Sequence, residues 1–193
     1  MRNAEFDRQQ VLRSAMHAFM HKGYNKTSMQ DLTAATGLHP GSIYCAFGNK
    51  KGLLLAAVEQ YRADRTSQMA TVFSSKKPVL AKLKDYLDGV VQECLSCNTS
   101  QSCLLTKAIT ELAEQDPEVQ HILSDHLKAW QNSLQHQFQA AIADGELPKD
   151  SDPVFLSEYL VMGIYGLRTF AHTQPQPEVL IRLAERLYAN VCT

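Results

Sequence analysis

Two groups of residues carry most of the chemistry available to this 193-residue chain. The first is a set of thiols: Cys94 and Cys97 are three apart, hence on one face if the segment is helical, and Cys103 follows six residues later. Thiols that meet in space can be oxidised or alkylated, and Lys107, one turn beyond Cys103, favours a thiolate there if the two face each other. Cys103, Cys97 and Cys94 are therefore the candidate thiol sensor, in that order. Cys94 also continues an apolar stripe, so its simplest reading is a small core residue. As metal ligands the set is incomplete: Cys-x-x-Cys supplies two of the four donors a closed zinc site needs, and His121 or His126 would have to complete it with Cys103 from no recognisable spacing. No metal and no cofactor are expected. Cys45 and Cys192 read as incidental, although an exposed Cys45 would make its own helix sensitive to oxidation.

The second group lies between Thr27 and Lys51. A short helix, a turn at Gly37 and a second short helix opening on Pro40, Gly41 and Ser42 form a helix-turn-helix pattern, and a single helix is what the major groove of DNA admits. Small residues at the start of that second helix let its backbone approach phosphate or base edges, and Tyr44 and Lys50 can reach phosphate oxygens. Thr27 offers a hydroxyl and an amide for another phosphate. Phosphate would also prefer this third of the chain on charge: residues 1–62 hold eight Lys/Arg against four Asp/Glu, the remainder eleven against sixteen. Asp31 is the one acid between Thr27 and Lys51.

The elements that must position these residues all read as helices. Leu12, Ala15, Met16, Phe19 and Met20 recur at amphipathic spacing up to Lys22-Gly23. Thr27 is expected to cap a second helix carrying Met29 and Leu32 and ending at Gly37, and Pro40 starts a third that ends near Phe47-Gly48. Asn49 caps a fourth, through Leu53, Leu54, Ala57, Val58 and Tyr61; a fifth starts at Pro78 and a sixth at Cys103. Asp116-Pro117 and Asp152-Pro153 each place a capping carboxylate before a helix-starting proline. The long helix between them carries Val119, Leu123, Trp130, Leu134 and Phe138, and two more run from about Val154 to His172 and from Glu178 to Val191. The expected fold is all-α, about nine helices, with a helix-turn-helix head at residues 1–48 and a helical body at residues 49–193.

The stretch TSMQDLTAATGLHPGSIYCAFGNKKGLL resembles the N-terminal signature of the TetR family, in its glycine turn, its Gly-Ser-Ile-Tyr helix and its Tyr-x-x-Phe-x-x-Lys ending, with dense similarity from Phe6 to Val58. The resemblance implies a DNA-binding transcriptional regulator in which Thr27, Gly41, Ser42, Tyr44 and Lys50 contact DNA, while Leu32, Ile43 and Phe47 hold the head core. It implies a homodimer on a palindromic operator, more often a repressor than an activator, released by a signal sensed in the body. Two departures are Ala46, where histidine is often found, and Lys51, where glutamate is usual; the extra lysine is expected to strengthen phosphate binding. The last two helices are expected to pair with their copies through Leu156, Leu160, Ile164 and Leu167 and through Leu180, Leu183 and Leu187.

The body offers a second kind of sensor. Trp130, Phe138, Tyr159, Met162, Tyr165 and Phe170 can line an apolar effector pocket, although aromatic residues at this spacing are more often core. Catalysis is not expected, because no phosphate loop, nucleophile elbow or paired acid and base is present. A helical interaction module that does not bind DNA is the competing reading. No run of about 18 apolar residues and no apolar segment near Met1 argue for a membrane span or export signal, and five cysteines are no disulfide framework, so a cytoplasmic location is expected.

Overall fold

The computed structural model describes residues 6–96, 116–173 and 175–192, and helix is the regular structure found among them. Its elements are α1 (Arg8–Lys22), α2 (Met29–Thr36), α3 (Pro40–Phe47), α4 (Lys50–Phe73), α5 (Val79–Ser96), α6 (Pro117–Ala143), α7 (Pro153–Ala171) and α8 (Pro177–Val191). The helix expected to start at Cys103 lies outside the described residues. Two compact units divide the described chain: residues 6–65 with 116–123, and residues 66–96 with those from 124 onward. The expected boundary falls after residue 48, with the helix from about residue 49 linking head and body. The first half of α4 belongs to the first unit, because Leu53, Leu54, Ala57, Val58 and Tyr61 are buried in the same apolar cluster as Phe19, Leu32 and Ile43.

In the first unit, caps decide where each helix begins and ends. Asp7 accepts from the Gln10 amide at 3.1 Å to start α1, and Gly37, at φ +70°, takes the left-handed conformation that closes α2. The cap of α2 is Ser28, not Thr27. Ser28 Oγ accepts from the Asp31 amide at 3.1 Å while Asp31 Oδ2 accepts from the Ser28 amide at 2.9 Å, a reciprocal capping box. Asn49 Oδ1 accepts from the Gly52 amide at 2.8 Å and caps α4 as expected. The Arg13 guanidinium donates twice to the Asp64 carboxylate, each bond 2.9 Å, tying α1 to α4. Val119 and Leu123, on the first turns of α6, complete this core.

In the second unit α5 packs on α7 and α8, and α7 on α8. Pro78 leaves the first amides of α5 without partners, and the Glu146 carboxylate, 67 residues later, accepts from Val79 N at 2.7 Å and Leu80 N at 2.8 Å. Asp152 caps α7 through the amides of Val154 and Phe155. The helices α7 and α8 approach closely at Gly163, where any added Cβ would run into the Leu187 side chain. The stripe expected to meet a partner subunit is largely this unit's own core: Leu160, Ile164, Leu167, Leu180 and Leu187 are buried within the chain, and Leu156 is half-buried. The apolar residues left outside are Val154, Phe155, Met162 and Phe170 on α7 and Ile181 and Leu183 on α8. On α7 the exposed Phe155 and Met162, seven residues apart, form a second apolar stripe that no other described residue covers.

Candidate nucleic-acid interface

The short helix α3 is held from below and open above. Ile43 is fully buried in the head core and Phe47 packs against it, while Pro40, Gly41, Tyr44 and Cys45 face solvent and Ser42 is half-exposed. Tyr44 keeps 50% of its surface exposed, which an apolar core position would not allow. Around Gly41 nothing lies within 4 Å of where a Cβ would stand, so the backbone of the first turn is open to a close approach. His39, which no spacing or residue pattern singles out, stands exposed at the cap position with no side-chain cap bond.

Thr27 departs from the expected role. Its side chain is fully buried, its hydroxyl donates to the Gly23 carbonyl at 2.5 Å, and its amide donates to the Tyr24 carbonyl at 3.3 Å. Both polar groups expected for a phosphate are spent on the α1–α2 loop. Lys50, in turn, is half-buried, with its ammonium 4.4 Å from the centre of the Tyr24 ring. Asp31, the one acid of the motif, is neutralised where it stands: the Lys22 ammonium at 2.6 Å, with the Ser28 amide and hydroxyl, holds its carboxyl down to about 2. Lys51 does not add to the basic surface as expected. Its ammonium lies 2.6 Å from Asp116 and 2.6 Å from Glu118, and those hydrogen bonds raise its pKa.

The sensor candidates fall in several places. Cys103 and Cys97, with Lys107, lie outside the described residues. Cys94 is half-buried and packs against the core of the second unit, the environment of a small apolar residue. Cys45 is exposed, and burial pushes the Cys192 thiol up to about 11. Of the pocket candidates, Trp130 and Tyr165 do meet, ring centres 5.9 Å apart, and Trp130 Nε1 donates to Tyr86 Oη at 3.0 Å. The Arg168 guanidinium lies 6.0 Å from the Trp130 ring and 3.5 Å from the Glu93 carboxylate, beside this aromatic group. Phe138 is fully buried core. Tyr159 turns toward α8, accepting from Asn190 Nδ2 at 3.0 Å. Met162 is 60% exposed, one heptad from Phe155, and so lies on the outer face of α7 rather than in an interior pocket. Phe170, at 40%, is exposed as well.

Comparison with known proteins places this geometry. Residues 11–57 match the family model "Bacterial regulatory proteins, tetR family", and residues 79–186 match "Tetracyclin repressor-like, C-terminal domain". The chain belongs to the TetR family. The HTH-type transcriptional repressor ComR of Escherichia coli (strain K12) is 30% identical over 181 residues, covering 93% of this chain and 86% of its own length. The transcriptional regulator AcuR of Cereibacter sphaeroides is 27% identical over 179 residues, 91% of this chain and 81% of AcuR. Among solved structures, a cysteine mutant of the TetR family transcriptional regulator CifR, complexed with 26-bp double-strand operator DNA, matches with a TM-score of 0.86 at 28% identity. That match covers 97% of this chain and 98% of the CifR chain. This TetR-family chain is a transcriptional regulator, and the competing reading of a helical interaction module without DNA binding is set aside. No described helix is long and apolar enough to cross a membrane.

Proposed function

We propose that the protein is a cytoplasmic, homodimeric repressor that lays the outer face of α3 in successive major grooves of a palindromic operator. The observation that carries this is the two-sided character of α3: Ile43 anchors it while Pro40, Gly41, Tyr44 and Cys45 stand outside with no partner element of the described chain covering them. Lys50, at the start of α4, supplies charge for the DNA backbone beside them. The operator complex of CifR, at 28% identity over nearly the whole chain, supports the same use here. The apolar residues left outside on α7 and α8 supply the dimer face, and a two-fold dimer matches a two-fold operator.

Release of the operator requires a signal that binds or modifies the DNA-incompetent state preferentially, by a coupling typically of about 1–3 kcal/mol. The body supplies the sensor, either a small molecule among residues such as Trp130 and Tyr165 or a thiol-reactive species at Cys103, Cys97 or Cys94. Operator binding under reducing and oxidising conditions, with and without Cys103→Ser, separates the two: a response unchanged by the substitution removes Cys103 as the sensor.

The reading as a whole is tested by fluorescence anisotropy with a duplex selected by the protein from a random-sequence pool. Binding should weaken steeply with salt, and Tyr44→Ala should lower affinity about tenfold with little change in melting temperature, because the side chain is half out of the protein already. Salt-insensitive binding, or a Tyr44→Ala variant with full affinity, would remove α3 from the interface.

A further inference from the structure

Two lysines open α4, a 24-residue helix whose first turn carries no acidic side chain. The positive end of a helix favours anions, and adjacent lysines there would ordinarily reinforce one another toward a DNA backbone. Here Lys51 is turned instead to carboxylates of its own chain. Lys51 Nζ is 2.6 Å from Asp116 Oδ2 and 2.6 Å from Glu118 Oε2, at the start of α6. Tyr24 joins the same patch, with Lys50 over its ring and its phenol close enough to feel the charges of Lys51 and Asp116.

The two carboxylates are not needed at Lys51 to build α6. Asp116 Oδ1 already caps that helix through the amides of Glu118 and Val119, and the apolar side chains of Val119 and Leu123 anchor its first turns in the head core. The Glu118 side chain is 64% exposed and that of Lys51 32%, so the ions meet at the surface, where exchanging one anionic partner for another costs little. A phosphate is such a partner.

We propose that Lys51 is a masked phosphate ligand: Asp116 and Glu118 hold its charge, and when their side chains let go of it Lys51 joins Lys50 on the DNA backbone. This rests on the DNA-binding reading above and adds its regulation, since whatever loosens those two surface ion pairs is then read out as a phosphate bond made or broken. It also accounts for a lysine and two acids being placed together on two helices of the DNA-binding unit, where a lone lysine would have served simple attraction better.

The test is a four-protein cycle on the full chain: wild type, Lys51→Gln, Asp116→Asn/Glu118→Gln and the triple variant, each titrated with the selected duplex over a salt series. Removing the acids should tighten binding about fivefold or more when Lys51 is present and steepen the log–log salt dependence by about 1.8, the signature of two added phosphate contacts, one from each subunit of the dimer. In the Lys51→Gln background the slope should not change and the improvement should shrink. Equal improvement in both backgrounds would mean a general field effect and would overturn the proposal, as would no improvement at all. Should the double variant fold poorly, Glu118→Gln alone leaves the Asp116 cap intact and must shift the slope in the same direction; an unchanged slope overturns the proposal. A wild-type protein that binds no duplex overturns both this proposal and the reading beneath it, whereas salt-sensitive wild-type binding with no Lys51-dependent improvement overturns this one alone.

Discussion

Thr27 and Ser28 are neighbours with the same chemistry and opposite fates. Either could open α2: Thr27 has Gln30 three residues on, Ser28 has Asp31, and both spacings fit a capping box. Burial decides between them, because the threonine methyl belongs inside the head core and its hydroxyl then finds the Gly23 carbonyl. Thr27→Val keeps the volume and removes the donor, and should cost about 1–2 kcal/mol in chemical denaturation while leaving the affinity of the folded protein for duplex unchanged. A variant of full stability with weakened binding would return Thr27 to the phosphate. The face of α3, by contrast, was legible in its residue types: Pro40, Gly41 and Tyr44 emerge on the outside and Ile43 within. The partners of Lys51 were not legible, since Asp116 and Glu118 lie in a distant stretch of the chain and nothing local marks the cluster. Met162 misled for a related reason, because an apolar residue on a helix announces burial without saying in whose core.

Among the elements, the starts and stops follow from short-range chemistry and were largely readable, as with Asn49 before α4, Asp116 before α6 and Asp152 before α7. The cap supplied to α5 by Glu146 was not, because a carboxylate from a distant turn does what a neighbour usually does. The corner between α3 and α4 depends on a residue the pattern passes over. Gly52 lies so close to the Phe47 carbonyl oxygen that a Cβ there would collide with backbone, which cannot swing aside as a side chain can. Gly52→Ala removes a helix-interior glycine, worth about 0.5–1 kcal/mol, but forces the corner open at a cost of about 1–3 kcal/mol. The variant should therefore be destabilised in a urea titration and bind duplex more weakly; a neutral or stabilised Gly52→Ala would show that the corner can relax. Asn49 caps α4 at the same corner.

At the scale of the whole molecule, α7 and α8 use most of the leucines expected at a subunit contact inside the chain, while Leu183 stays exposed. The sequence of α7 contains two apolar stripes, and hydrophobic periodicity does not say which one the chain uses for itself. The inner stripe, Leu160, Ile164 and Leu167, went to the body core with Leu187 of α8, leaving Phe155 and Met162 a heptad apart outside. Phe155→Glu/Met162→Glu places like charges across a two-fold axis. The variant should sediment as a folded monomer in analytical ultracentrifugation and bind duplex on the order of 100-fold more weakly, the loss expected when two linked half-site contacts become one. A dimer that survives both substitutions would place the subunit contact elsewhere. A dimer joined through that outer stripe, as proposed above, would also respond in a set way to its own abundance. Where subunits are scarce relative to the dissociation constant of the pair, the concentration of competent pairs rises with the square of the number of chains, so halving synthesis cuts promoter occupancy toward one quarter.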